Sequence, residues 1–146
     1  MRKVYLIFIL VWMGVIFCFS NQEADLSTRM SDGFIERTIG TVYKFFDSDV
    51  SDDKLDLIKD KYSHPVRKMA HFTIYLILGL LVFNYFRVID ISTIICFIYA
   101  CSDEIHQLFV AGRSCEFLDV MIDTTGSFIG IMLFYFIYRK FKIKTP

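Results

Sequence analysis

The chain has 146 residues, 55% of them hydrophobic and 17% aromatic, with a mean hydropathy of +0.48. That suits one domain and is too apolar for an ordinary soluble one. Sixteen basic residues cancel sixteen acidic ones with no basic stripe for nucleic acid, and Cys18, Cys96, Cys101 and Cys115 show neither CxxC spacing nor the density of a disulfide scaffold.

Arg2 and Lys3 precede the first apolar run, and Ser20, Asn21 and Gln22 close it. A span over about 4–20 is near the minimum length for crossing a bilayer. A signal peptide would need small residues before its cleavage site, and a lipobox would need them before Cys18. Phe17-Cys18-Phe19 and Ile16-Phe17 are bulky there, so a retained helix is expected. Residues 21–65 form the one long polar stretch. Ile35, Ile39, Val42 and Phe46 recur in it at helical spacing, as do Leu55, Ile58 and Tyr62. Amphipathic helices on the membrane surface and a solvated loop with some helix both fit that pattern, with a turn at 47–53.

Pro65 suits the first turn of a helix, where its missing N–H costs nothing. A second span over 66–86 follows and ends at Arg87. The third covers 91–109, and the fourth covers 117–138, interrupted by Asp119 and Asp123 alone. The fold expected is an all-α integral membrane bundle of four transmembrane helices. It forms one domain over 1–146, with a long extracytoplasmic loop between the first two helices. Orientation comes from the basic residues: Arg2, Lys3, Arg87 and the tail Arg139, Lys140, Lys142 and Lys144 belong inside, so both termini are cytoplasmic.

That orientation puts three polar patches, far apart in sequence, at the outer membrane end: Lys68 and His71, the run Asp103 to Gln107, and Asp119 with Asp123. An ionisable side chain at membrane depth costs from about 3 to more than about 10 kcal/mol, so such groups mark a site with a partner. At 100° per residue, Lys68, His71, Tyr75 and Gly79 share one stripe. Ser92, Cys96, Tyr99, Asp103 and His106 share a second with Gln107 at its edge, and Glu116, Asp119, Asp123, Gly126 and Gly130 share a third. Glu104 points about 100° away from Asp103 and is expected to have a different partner. Small residues on the third stripe allow close helix packing.

Lys68 and Arg113 pairing with Asp103, Asp119 or Asp123 would set helix register without chemistry. Four carboxylates, two histidines and two cations exceed that need. The expected pocket comprises Lys68, His71, Tyr75, Asp103, Glu104, His106, Gln107, Arg113, Asp119 and Asp123. Asp103, His106 and Asp123 are its candidates for acid–base catalysis. Asp103, Asp119 and Asp123 with His71 or His106 have the mixed oxygen and imidazole donors of a divalent metal site. Arg113 beside Gly112 suits a phosphate or carboxylate anchor. Hydrolase and phosphate-loop signatures are missing, and Asp123-Thr124-Thr125-Gly126 is not the Asp-Thr-Gly of aspartic proteases.

Arg67-Lys68-Met69-Ala70-His71-Phe72 with Tyr75, Ser102-Asp103-Glu104-Ile105-His106-Gln107-Leu108-Phe109, Gly112-Arg113, and Asp119 to Gly126 with Gly130 resemble the VanZ-like family of small bacterial membrane proteins. Ser20 at the exit of the first helix fits the same pattern. The resemblance implies a four-helix integral protein of the bacterial cell membrane. For the family's founding member it implies raised resistance to teicoplanin, a lipid-bearing glycopeptide acting on cell-wall precursors. Three readings follow. One is a binding protein for membrane lipids, a cell-wall lipid precursor or a lipoglycopeptide. The second is an intramembrane enzyme acting on a lipid headgroup. The third is an ion-coupled carrier, which would place its site at the midplane rather than at one end.

Overall fold

A computed structural model describes residues 2–45 and 52–141. Those residues form five helices and no strand: α1 (Arg2–Ser20), α2 (Ala24–Phe45), α3 (Asp52–Phe86), α4 (Ile89–Gln107) and α5 (Phe117–Phe141). α3 touches all four others, and its most extensive interface is with α5. These two run parallel: Lys68 meets Asp119, the Ser127 hydroxyl donates to the Tyr75 carbonyl (3.1 Å), and Phe83 stacks edge-on against Phe134. Glycines permit this closeness. A Cβ on Gly79 would overlap the Ser127 carbonyl oxygen, one on Gly126 that of Phe72, and one on Gly130 that of Leu76. The glycine end of the third stripe read from the sequence is therefore a backbone-to-backbone contact. α1 closes the other side, where the Trp12 indole donates to the Ile74 carbonyl (2.9 Å) and the Tyr99 hydroxyl to that of Met13 (2.6 Å).

Two expectations need correction. The stretch 21–65 is not a long loop: α2 fills 24–45, and α3 opens at Asp52, with the chain inside the helix from there to Phe86. Pro65 thus lies within α3 instead of at its start. Proline in mid-helix removes one hydrogen bond and crowds the carbonyl four residues back. Tertiary contact with α2 offsets that cost, because Lys59 pairs with Glu36 (3.4 Å) and the Ser63 hydroxyl reaches Asp32. Asp52 and Asp53 also favour the helix N-terminus electrostatically. Of the turn expected at 47–53, residues 47–51 lie outside those described, and Asp52 and Asp53 already belong to α3.

The other bounds shift slightly. α4 starts at Ile89 and ends at Gln107, where Phe109 and Val110 turn back onto the His106 and Gln107 carbonyls (both 3.0 Å), and α5 runs on to Phe141. α3 and α5 are long and apolar enough to cross a membrane; a third span results if α1 and α2, bent by 100°, form one broken span. α4 misses this criterion because Asp90, Asp103 and Glu104 all lie in its 19 residues. Its surface says more than its composition: Asp103 and Glu104 are buried, while Ile91, Ile94, Phe97, Ile98 and Ile105 are exposed. α1 exposes Val4, Leu6, Ile7, Phe8, Leu10 and Val11 likewise. A continuous apolar exterior over a polar interior is the arrangement a bilayer stabilises.

Candidate functional site

The three polar stripes converge at one end of the bundle. Lys68 donates to Glu116 (3.0 Å) and to Asp119, joining α3 to the start of α5. One turn further on, His71 Nδ1 stands 3.9 Å from Asp123 Oδ2, beyond hydrogen-bond reach. Asp103 takes a hydrogen bond from the Ser20 hydroxyl (2.7 Å), so the end of α1 is fastened to α4. Glu104, pointing elsewhere as its helical phase requires, accepts from Gln107 Nε2 (3.0 Å) and from the backbone N–H of Glu116 (3.1 Å). A carboxylate beside the first turn of α5 also meets the positive end of that helix.

Arg113 organises the loop from α4 to α5. It donates through Nε to the Gln22 carbonyl (3.0 Å) and through Nη1 to Gln107 Oε1 (3.1 Å), tying the α1–α2 bend to the end of α4. Neither bond goes to a carboxylate, so the ion pair between Arg113 and an aspartate allowed by the sequence does not form. Gly112 has φ +74° and lies against Ala24, where a Cβ would be crowded. Burial lowers the pKa of Arg113, which stays charged as guanidinium. Hydrogen bonding and the positive charge of Lys68 hold the Glu116 carboxyl below its ordinary value of 4.5.

Two overlapping groups of residues meet here. Arg67, Lys68, His71, Glu104, Gln107, Arg113, Glu116, Asp119 and Asp123 line a polar cavity of about 50 Å³. His71, Asp103 and Asp123 each turn a ligand-type atom to one point, all within 4.8 Å of one another. Asp119 is engaged by Lys68 instead. His106 is drawn away altogether: its ring stacks on Phe17 (4.4 Å between centroids) and its Nε2 lies 3.2 Å from Asn21 Oδ1. It therefore faces α1, not the other candidate catalytic groups. Tyr75 is fully buried one turn from His71, and its hydroxyl neighbours the Asp103 carboxylate without a well-formed hydrogen bond.

Three contributors were not singled out as site residues from the sequence. Ser20 stands in the sequence reading as the residue closing the first apolar run and in a matched motif, Arg67 in a matched motif, and Glu116 among the charges of the third stripe, none of them with a place in the expected pocket. A serine closing an apolar helix, and charges at both edges of an otherwise apolar one, were the available signals. A second cavity adjoins the first. This cleft of about 600 Å³ is lined mainly by apolar groups, including Phe19, Met30, Phe34, Val66, Met69 and Ile74, and it shares Arg67 and His71 with the polar cavity. A family model described as VanZ/LLP1 matches residues 5–138. No curated protein and no solved structure matches the chain.

Proposed function

The chain belongs to the VanZ/LLP1 family and is a helical membrane protein, and on that premise we propose that it binds an amphipathic anionic ligand at the outer face of the bacterial cell membrane. One observation carries this reading: the polar cavity and the apolar cleft meet at Arg67 and His71. The polar cavity presents the Arg67 and Arg113 guanidinium groups to a phosphate or carboxylate. Arg113 supports that end, because its Nη2 is buried without a hydrogen-bond partner and guanidinium suits oxyanions. The cleft falls within the roughly 300–1,000 Å³ of ordinary ligand sites and takes an acyl or prenyl chain. A membrane lipid, a lipid-linked cell-wall precursor and a teicoplanin-type lipoglycopeptide share this chemistry. Engaging the last of these, or shielding its target, is the route by which we connect the pocket with resistance. In this reading all of α1, α3, α4 and α5 span the membrane, α2 lies outside, and both termini are cytoplasmic. The inward-turned carboxylates and apolar exterior of α4 support that count.

The test uses protein purified in mild detergent, with bound lipids identified by native mass spectrometry. Arg113→Gln should weaken retention of anionic lipid by about 10- to 100-fold, as expected for a charge-assisted hydrogen bond worth about 1.5–3 kcal/mol. Met69→Asp should remove it by charging the cleft. Equal retention by wild type and both variants would sink the proposal. In cells, susceptibility to teicoplanin should follow lipid retention across the same variants. A second reading, an enzyme acting on a lipid headgroup, is favoured by the buried Asp103 and Asp123 beside His71. It requires that a lipid species accumulate in a deletion strain and persist with Asp103→Asn at normal protein level.

A further inference from the structure

We infer that His71, Asp103 and Asp123 bind one divalent transition-metal cation between α3, α4 and α5, at the base of the polar cavity. The case begins with unsatisfied atoms. Asp103 and Asp123 are 3% and 1% exposed, yet both oxygens of Asp123 have no hydrogen-bond partner, and Asp103 Oδ1 makes no well-formed hydrogen bond, with the uncharged Tyr75 hydroxyl and Gln107 amide as its neighbours. Buried polar atoms in native proteins nearly always have one, and a carboxylate left alone in an apolar interior is among the costliest groups to bury. The neighbouring cations do not serve them. Lys68 is held by Glu116 and Asp119, while the bonds of Arg113 go to Gln22 and Gln107.

Geometry and charge then point to a metal. One oxygen or nitrogen from each of the three residues lies within 4.8 Å of the others. Bonds of about 2.1 Å in a tetrahedral site bring ligand atoms to about 3.4 Å from one another, so closure draws them together by at most about 1.4 Å, a movement that side-chain rotation supplies. Two carboxylates match a double positive charge. An imidazole among the ligands favours a first-row transition metal such as Mn²⁺ or Zn²⁺ over Ca²⁺ or Mg²⁺. Three protein ligands leave a coordination position open, as in sites that bind or activate a small ligand rather than closed structural ones. His71 and Asp123 also line the polar cavity, so that position faces it. The hydroxyl of Ser20, bonded to Asp103 Oδ2, orients this carboxylate from behind. The site is independent of the lipid reading, since the metal alone is the probe.

The experiment is metal analysis and calorimetric titration of the full chain in detergent, stripped with chelator and offered MnCl₂ or ZnCl₂. The expected result is one equivalent of at least one of these metals per chain for wild type. Asp123→Asn and His71→Gln should weaken it by at least about 100-fold, and Ser20→Ala by about 10-fold, the effect usual for groups that orient a ligand. His106→Gln, whose position lies on the α1 side away from the three ligands, should retain wild-type affinity. Every variant is compared at matched helical circular dichroism and monodisperse elution. Asp123→Glu, which keeps the carboxylate, should bind more tightly than Asp123→Asn. Failure of wild type to bind either metal stoichiometrically overturns the inference. So does equal loss in His106→Gln and Asp123→Asn, or equal affinity in Asp123→Asn and wild type.

Discussion

Lys68 shows how a single cation divides the polar end of the bundle between structure and chemistry. Its ammonium holds Glu116 and Asp119 and leaves Asp123, one turn deeper, without a cation. Because Lys68 keeps the Glu116 pKa below 4.5, this pair stabilises the fold above that pH. The contribution is lost as pH falls through the depressed folded value. Glu116 is partly exposed, so solvent screening limits the pair to at most about 1 kcal/mol. Thermal unfolding in detergent should therefore show wild type losing more stability than Lys68→Met between roughly pH 5 and roughly pH 3. Parallel pH profiles would refute this assignment. At the same scale, helical phase correctly brought His71, Asp103 and Asp123 to one place. It also put His106 and Asp119 on those stripes, and phase alone assigns a face but no partner. His106 sits in the last turn of α4, where the end of α1 arrives with Phe17 and Asn21, and only the three-dimensional path of α1 decides that competition.

Among the elements, α3 and α5 are held by contact that leaves no room for side chains. Gly79 and Gly130 each face a backbone carbonyl, so a methyl at either position forces the helices apart. Gly14 and Gly40 have nothing within 4 Å of an added Cβ. Gly79→Ala and Gly130→Ala should destabilise by about 1–3 kcal/mol, the usual cost of overpacking. Gly14→Ala should be neutral or stabilise by up to about 1 kcal/mol, since glycine is a poor helix former. Thermal midpoints of the three variants in one detergent would decide this, and equal shifts would show that the backbone contact is not what holds α3 to α5. The glycine spacing was readable because a helix imposes its period on sequence. The course of α3 through Pro65 was not, because local preference at proline favours a helix start. The packing of α2 on residues 59–63, which overrides it, joins segments about 30 residues apart (Asp32 to Ser63).

Across the whole molecule, apolar runs located four of the five helices, since burial in lipid demands them. α2 was the element left between alternatives, because its mixture of polar and apolar residues is compatible with surface helix or solvated loop. Its position relative to the membrane now separates two topologies. In the four-span reading α2 lies outside with the α4–α5 loop, whereas as the second half of a broken span it would enter the bilayer after the 100° bend. Single-cysteine variants distinguish these with a membrane-impermeant maleimide. Cys18, Cys96 and Cys101 are replaced and Cys115, which is exposed in the α4–α5 loop, is retained as the outer reference. In separate variants without Cys115, exposed Thr38 on α2 or exposed Asp90 at the start of α4 becomes the only cysteine. Cys115 and Thr38→Cys should label on intact cells, and Asp90→Cys only after permeabilisation. Failure of Thr38→Cys to label both before and after permeabilisation, with Cys115 still reactive from outside, would make α1 and α2 one broken span, since α2 would then lie within the bilayer. If Cys115 itself needs permeabilisation, the basic residues have been placed on the wrong side, and the polar cavity opens to the cytoplasm. The outer-leaflet ligand would then fail with it, while the metal ligands, which require no orientation, would stand.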